Sequence, residues 1–278
     1  MVKIWKLTSQ VEDTNLNLQG ETNSLDNGSQ ELPAGVYSTF RTFHHDRVLR
    51  LQDHFDRLVT SAELQDVHFR FEQKKVRQGL REIISEFPEV DVRLRIHWSL
   101  NKSEPVVYLM GELFNSVPEE FYIHGVSVKT IQLSRNNPLS KATSFINETR
   151  ELRAAKPADI HEYLLIGNDG QILEGMTSNV LCILNGTIYT ASTGILNGIT
   201  RQLVLEAVGS LSVPVVQQGL SVKDLSNVDE ACITSASRGV LPVTLVDGKK
   251  VGSGKPGPLT QKIMFAYLKK LEAELEPI

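Results

Sequence analysis

The sequence predicts an α+β fold in two parts, and three observations carry that prediction. Strand-like runs come in groups with helical stretches between them, not in the regular alternation that builds a parallel sheet. The 278 residues suffice for two domains of ordinary size, each with its own core. A polar, proline-bearing stretch, FNSVPEE at 114–120, separates two strand-like blocks and sets the expected domains at 1–117 and 118–278.

The N-terminal part opens with a short strand. A polar, turn-rich segment, 15–35, then reads as a long loop. VYSTFRTFHHDRVLRL alternates and turns at HHD, the pattern of a hairpin. Two amphipathic helices follow: Leu51, Phe55, Leu58, Val59 and Ala62 share one face of the first, and Val76, Leu80, Ile83, Ile84 and Phe87 one face of the second. DVRLRIHWSL and PVVYLMGEL read as strands. In the C-terminal part GVSVKTIQL, EYLLIG, NVLCIL and TIYT are strand-like, and a helical stretch covers 144–156. A helix opens near Thr200, with Leu203, Val204, Ala207, Val208 and Leu211 at helical spacing. Strands near 213–217, 230–235 and 240–246 lead to a last helix over 258–275.

Composition narrows the function. Hydrophobic residues make up 41% and charged residues 22%, the balance of a soluble globular protein. A formal charge of −4 offers no general basic face, which argues against nucleic acid as a partner. No apolar run approaches the roughly 20 residues of a membrane helix, and MVKIWKL lacks an export core. Cys182 and Cys232 lie in apolar runs and read as buried thiols. A cytoplasmic location is the expectation.

Several residues are candidates for chemistry. LEGMTSN, 173–179, joins an acidic turn to the apolar run VLCIL. Glu174 therefore stands at the mouth of a strand expected to be buried, where a carboxylate is costly unless a charge meets it. In GILNGITRQLVLEAV a glycine turn runs into a helix, leaving first-turn amides near Gly198, Ile199 and Thr200 for a cap or a phosphate. ITSASRGVLPV places Thr234, Ser235, Ala236 and Ser237 after a strand, small residues able to hold an anion or simply to turn. Arg57, in LQDHFDRL, borders an apolar stripe and either snorkels to solvent or reaches inward for a bidentate bond. Most lysines sit in charged runs, but Lys141, in NNPLSKATSFIN, stands among small and apolar residues where an amine can lose its proton and act as a nucleophile. GSGKPG, 252–257, is half a phosphate loop broken by proline and reads as a turn, and His44–His45–Asp46 is a hairpin tip, so no metal site is expected.

Taken in order, HFDRL, the lysine, the segment from Glu174 to Asn179, Thr190, GILNGITR and TSASRGVLPV resemble the class IV pyridoxal-phosphate aminotransferases. That family includes the branched-chain and D-amino-acid aminotransferases and aminodeoxychorismate lyase. The resemblance implies a two-domain fold of type IV, like that of D-amino-acid aminotransferase, with pyridoxal 5'-phosphate between the domains and a homodimer as the working form. It implies Lys141 as the covalent link to the cofactor and the group that moves a proton at the substrate Cα. Glu174 would meet the pyridine nitrogen, and Arg57, Ile199, Thr200, Ser235 and Ala236 would hold the phosphate. Tyr37, Ser38 and Arg93 fall on the substrate side, although Ser38 stands where many aminotransferases carry glutamate and Arg93 reads equally as a surface strand charge. The implied reaction is amino transfer between an amino acid, branched-chain type favoured, and a 2-oxo acid. The alternative is the lyase that releases pyruvate and 4-aminobenzoate from aminodeoxychorismate, toward which Ser38, Thr39 and the NGI turn lean.

Overall fold

The computed structural model describes residues 1–9, 14–68, 70–101 and 105–278. By contact the chain divides into two compact units. One comprises Met1–Asn115, Ser140–Ala154 and Glu274–Ile278, and the other comprises Ser116–Leu139 and Ala155–Ala273. Residues 140–154 and the last five thus belong with the first unit, apart in sequence from its main segment.

In chain order the first unit starts with β1 (Val2–Ser9), β2 (Thr14–Thr22), α1 (Leu25–Glu31), β3 (Gly35–Phe43) and β4 (Arg47–Leu49). Helices α2 (Leu51–Glu63) and α3 (Gln73–Ser85) and strands β5 (Val92–Ser99) and β6 (Val107–Leu113) follow. Short α4 (Glu119–His124) and β7 (Val126–Gln132) belong to the second unit, after which α5 (Ser144–Glu148) and α6 (Arg150–Ala154) return to the first. The second unit resumes with β8 (Glu162–Ile166), β9 (Ile172–Gly175), β10 (Ser178–Leu184), β11 (Thr187–Tyr189), α7 (Ile199–Gly209) and β12 (Val215–Val216). It continues through β13 (Glu230–Ser235), β14 (Gly239–Val246), β15 (Lys249–Lys250) and α8 (Pro258–Glu274), and β16 (Leu275–Pro277) closes the first sheet. Among the described residues no helix is long and apolar enough to cross a membrane.

The segment expected as a long loop holds β2 and α1 instead. Strand β2 is the edge of its sheet, where polar residues are normal, and among the described residues pairs only with β1. Helix α1 starts at Ser24, whose side chain accepts from Asn27 N, and it buries Leu25. The hairpin and both amphipathic helices form as expected, with Leu51, Phe55, Leu58 and Ala62 of α2 and Val76, Leu80, Ile83 and Ile84 of α3 buried.

The first unit is a seven-stranded sheet, β16-β4-β3-β5-β6-β1-β2. Its core packs Val36, Phe40, Leu94, Ile96 and Trp98 against α2 and α3. Because side chains alternate along a strand, Tyr37, Thr39, Arg93 and Arg95 fall on the other face. The second unit is a nine-stranded mixed sheet ordered β12-β11-β10-β13-β14-β7-β8-β9, with β15 on β14. Cys182 and Cys232 are free and buried there, and burial pushes the Cys182 thiol up to about 12.

One local feature places the expected catalytic lysine. The half of β3 that β4 leaves uncovered is paired instead by residues 141–143. Tyr37 N donates to Lys141 O at 2.9 Å and Thr143 N to Gly35 O at 2.8 Å. Gly35 N donates to Thr143 Oγ1 at 3.0 Å. With β5 on its other side, Gly35 has no room for a side chain, since a Cβ there would lie 2.2 Å from Trp98 O. Gly35→Ala forces the β5 backbone away from β3 and is expected to lower stability by roughly 1–3 kcal/mol, the range for overpacking. The urea midpoint of the cofactor-free protein checks this, and an unchanged midpoint would contradict the close approach.

Candidate active site

Glu174 is the last residue but one of β9, at 1% exposure, so the buried strand mouth expected from sequence is real. Its carboxylate meets Arg135, Nε to Oε1 at 2.7 Å, with both side chains buried. Oε2 accepts from Leu196 N at 3.1 Å and from Asn179 Nδ2 at 3.3 Å. An ion pair with two further hydrogen bonds offsets the burial that would otherwise expel the charge. Arg135 follows β7 in LSRNNP and was not singled out in the sequence.

Asn179, buried in β10, ties Glu174 to the entrance of α7. Its Nδ2 also donates to Leu196 O at 2.9 Å, and its Oδ1 lies where a Cβ on Gly198 would be, 2.1 Å away. Gly198 is the cap residue of α7 and makes no side-chain cap bond. First-turn amides have no partner inside their own helix, and here Ile199 and Thr200 carry them in a buried position. Arg201 points back, Nε to Thr190 Oγ1 at 3.1 Å and Nη2 to Ala191 O at 2.8 Å, so the motif threonine holds the loop ahead of the helix. Across the sheet Asn179 pairs in register with Thr234. The Thr234 hydroxyl is buried with no hydrogen-bond partner among the described residues, one step before Ser235 and Ala236.

A second buried carboxylate lies at the start of β8. Glu162 Oε2 accepts from Thr177 N at 3.2 Å, Ser178 Oγ at 3.1 Å, the Thr177 hydroxyl and Arg238 Nη2 at 3.2 Å. Burial alone would raise this carboxyl; the Arg238 charge and the hydrogen bonds outweigh it and hold it below the ordinary range. Arg238 also donates through Nε to Ser235 Oγ at 2.9 Å and through Nη2 to Thr177 O at 3.1 Å.

The first unit holds the other expected residues. Lys141 Nζ lies 4.8 Å from the centre of the Tyr37 ring, and Lys141 N donates to Ser61 Oγ at 3.0 Å. Arg95 Cζ lies 4.4 Å from the same ring. Arg57 reaches inward rather than out to solvent: Nη2 donates to Ser38 Oγ at 2.6 Å and approaches His54 Nδ1 at 3.3 Å. Its Nε is enclosed with no partner among the described residues, and burial pushes the guanidinium down to about 10. Ser38, expected beside substrate, is fully buried with its hydroxyl 2.7 Å from His54 Nδ1. With Arg57 directed at both atoms, Nδ1 is assigned as acceptor and the imidazole proton to Nε2. Burial, then the Arg57 and Lys141 charges, hold His54 well below the ordinary histidine range, so it is neutral at pH 7. Arg93 donates to Glu112 at 3.2 Å across the strand pair, and its side chain is 38% exposed. Arg95, two residues on, is buried and bonds Thr39 Oγ1, Leu25 O, Ser29 Oγ and Asp26 Oδ1 at 2.7–2.9 Å, which anchors α1 to the sheet.

Removing Arg135 leaves a buried carboxylate without its cation. Arg135→Met is expected to destabilise the protein by about 3–5 kcal/mol, and adding Glu174→Gln to it should recover part of that loss. Urea unfolding of both singles and the double variant measures the coupling. Additive effects would contradict the pair.

Comparison with known proteins identifies the family. The family model for amino-transferase class IV matches residues 35–246. The chain is 26% identical to a branched-chain-amino-acid aminotransferase of Pseudomonas aeruginosa, covering 87% of this chain and 85% of that protein. It is 29% identical to a D-alanine aminotransferase of Bacillus licheniformis, covering 86% and 88%. Among solved structures, a candidate branched-chain amino acid aminotransferase from Thermotoga maritima superposes with a TM-score of 0.79 at 26% identity, covering 98% of this chain and 96% of the other. With 212 residues inside the family match (246 − 35 + 1) out of 278, the chain belongs to the class IV aminotransferases, pyridoxal-phosphate enzymes of fold type IV that transfer amino groups.

Proposed function

We propose that this aminotransferase takes branched-chain-type amino acids as donors and a 2-oxo acid as acceptor, with Lys141 and Glu174 as its catalytic residues. The observation that carries the site assignment is Glu174: a carboxylate buried to 1%, held by Arg135 and by Leu196 N. Such a group suits a protonated ring nitrogen. Pyridoxal phosphate, when bound, supplies the sink for the electron pair left when the Cα–H bond breaks.

The chain's own groups then divide the work. Lys141 Nζ would hold the cofactor covalently, and its amine would carry the proton away from the substrate Cα. Glu174 holds the proton on the ring nitrogen. Arg57, the first-turn amides of Ile199 and Thr200, and the Ser235–Ala236 turn receive the phosphate. Support comes from the donors each unit leaves over: Arg57 Nε and the Thr234 hydroxyl are buried without partners among the described residues, and α7 has no side-chain cap. Within either unit, donors of this kind suit a phosphate dianion. Tyr37 and Arg93 remain on the substrate side of this proposal. Ser38 acts through Arg57, to which its hydroxyl is committed.

The branched-chain class rests on the relatives of that name, which match over most of the chain. The two hydroxyls that lean toward lyase chemistry are engaged elsewhere, Ser38 with Arg57 and His54, and Thr39 with Arg95. The family's usual homodimer, working in the cytoplasm, completes the proposal.

Two experiments test it. Borohydride reduction of the holoenzyme should place the label on Lys141, and Lys141→Ala should abolish both label and transfer; label on another lysine would remove the assignment. Glu174→Gln should bind cofactor yet slow Cα deprotonation in single turnovers by at least about 10²-fold, the scale of a positioned proton-holding group. Substrate class is read from a panel of L-leucine, L-valine, L-isoleucine and D-alanine with 2-oxoglutarate. Turnover of D-alanine alone, or pyruvate release from aminodeoxychorismate without an acceptor, would overturn the branched-chain reading.

A further inference from the structure

We propose that Glu162 and Arg238 form a clasp that sets the Ser235–Ala236 turn against the strand end carrying Glu174, and so act as positioning residues for cofactor phosphate. This rests on the reading of that turn as phosphate-binding. The clasp joins three pieces of chain that are far apart in sequence. Arg238, in the β13–β14 turn, uses Nε to hold Ser235 Oγ at 2.9 Å. Its Nη2 reaches Thr177 Oγ1 at 2.7 Å, Thr177 O at 3.1 Å and Glu162 Oε2 at 3.2 Å. Thr177 lies in the tight connection between β9 and β10, three residues after Glu174 and two before Asn179.

Glu162 does the matching work on the other side. Its Oε2 gathers donors from Thr177 and Ser178, and its Oε1 accepts from Tyr163 N at 3.0 Å, so the β9–β10 connection is pinned to β8. The connection is drawn so close that a Cβ on Gly175 would lie 2.1 Å from Ser178 Oγ and 3.0 Å from Glu162 Cγ. The outer end of the turn is fixed as well, because Tyr122 Oη donates to Arg238 O at 2.8 Å. Both clasp side chains are enclosed, 14% and 4% exposed. One guanidinium therefore spans from the phosphate turn to the segment whose next residues are Glu174 on one side and Asn179 on the other. A point cation could pair with Glu162, but only the planar fork of arginine also holds Ser235 and Thr177.

The test uses Arg238→Lys in the full-length protein. Lysine keeps a cation for Glu162 and gives up the fork. Dissociation constants are measured for pyridoxal phosphate and for pyridoxal, which lacks the phosphate, on cofactor-stripped wild type and variant. The clasp predicts that pyridoxal phosphate binds about 10-fold more weakly to the variant, with pyridoxal unchanged. Equal weakening of both compounds, or no change in either, overturns it. Thr177→Val removes a hydroxyl that Glu162 and Arg238 both bond outside the phosphate turn, and it gives the same answer should Arg238→Lys not fold: a phosphate-selective loss supports the clasp, and none overturns it. Wild type that binds both compounds equally sinks the phosphate-turn reading itself, whereas a wild-type preference that survives in the variant sinks the clasp alone.

Discussion

A carboxylate buried at the mouth of an interior strand constrains much of the second unit. Glu174 has Arg135 at 2.7 Å, Leu196 N at 3.1 Å and Asn179 at 3.3 Å around it. Breaking a buried pair of this kind costs about 3–5 kcal/mol, a large part of the margin of an ordinary fold. The surroundings follow from the need to keep it whole. Asn179 must reach both Glu174 and Leu196, so Gly198 must lack a side chain. Leu196 must offer its amide, so the loop before α7 is tied down by Arg201 through Thr190 and Ala191. The entrance of α7 is therefore placed by the same contacts that hold the carboxylate.

Two glutamates share this region and are kept apart in role by their partners. Glu174 faces an arginine from the segment after β7, while Glu162 faces an arginine from the β13–β14 turn and four hydrogen bonds from the β9–β10 connection and its own strand. The first unit has a comparable contrast. Arg57 is met by a hydroxyl and a neutral imidazole, which orient it without cancelling its charge, whereas Arg95 spends its donors on α1 and Thr39. A guanidinium with neutral partners remains able to bind an anion; one saturated by carbonyl, hydroxyl and carboxylate is an architectural strut.

Legibility in the sequence followed the range of the physics. Apolar periodicity is local, so α2, α3, α7 and the interior strands were readable from 3.6- and 2-residue patterns. Strand β2 was not, because an edge strand exposes polar groups and looks like a loop; α1 was hidden in the same turn-rich stretch although Ser24 marks its start. Lys141 and Glu174 stood out because each broke a local rule, an amine and a carboxylate among apolar neighbours. Their partners broke none. Arg135, Glu162 and Arg238 look like ordinary charges at strand ends, and only folding brings them to within 3.2 Å of their partners. Ser38 likewise gives no local sign of its partners: strand alternation turns it toward α2, where its hydroxyl meets Arg57 and His54.

The central claim is that the Glu174 carboxylate, held by Arg135, keeps a proton on the ring nitrogen of the cofactor. Nitrogen-15 NMR of the holoenzyme, loaded with ring-labelled pyridoxal phosphate, reads that proton without relying on turnover. The expected result is a protonated ring nitrogen in wild type and an unprotonated one in the glutamine variant at position 174, at the same pH. The same chemical shift in both proteins would contradict the account.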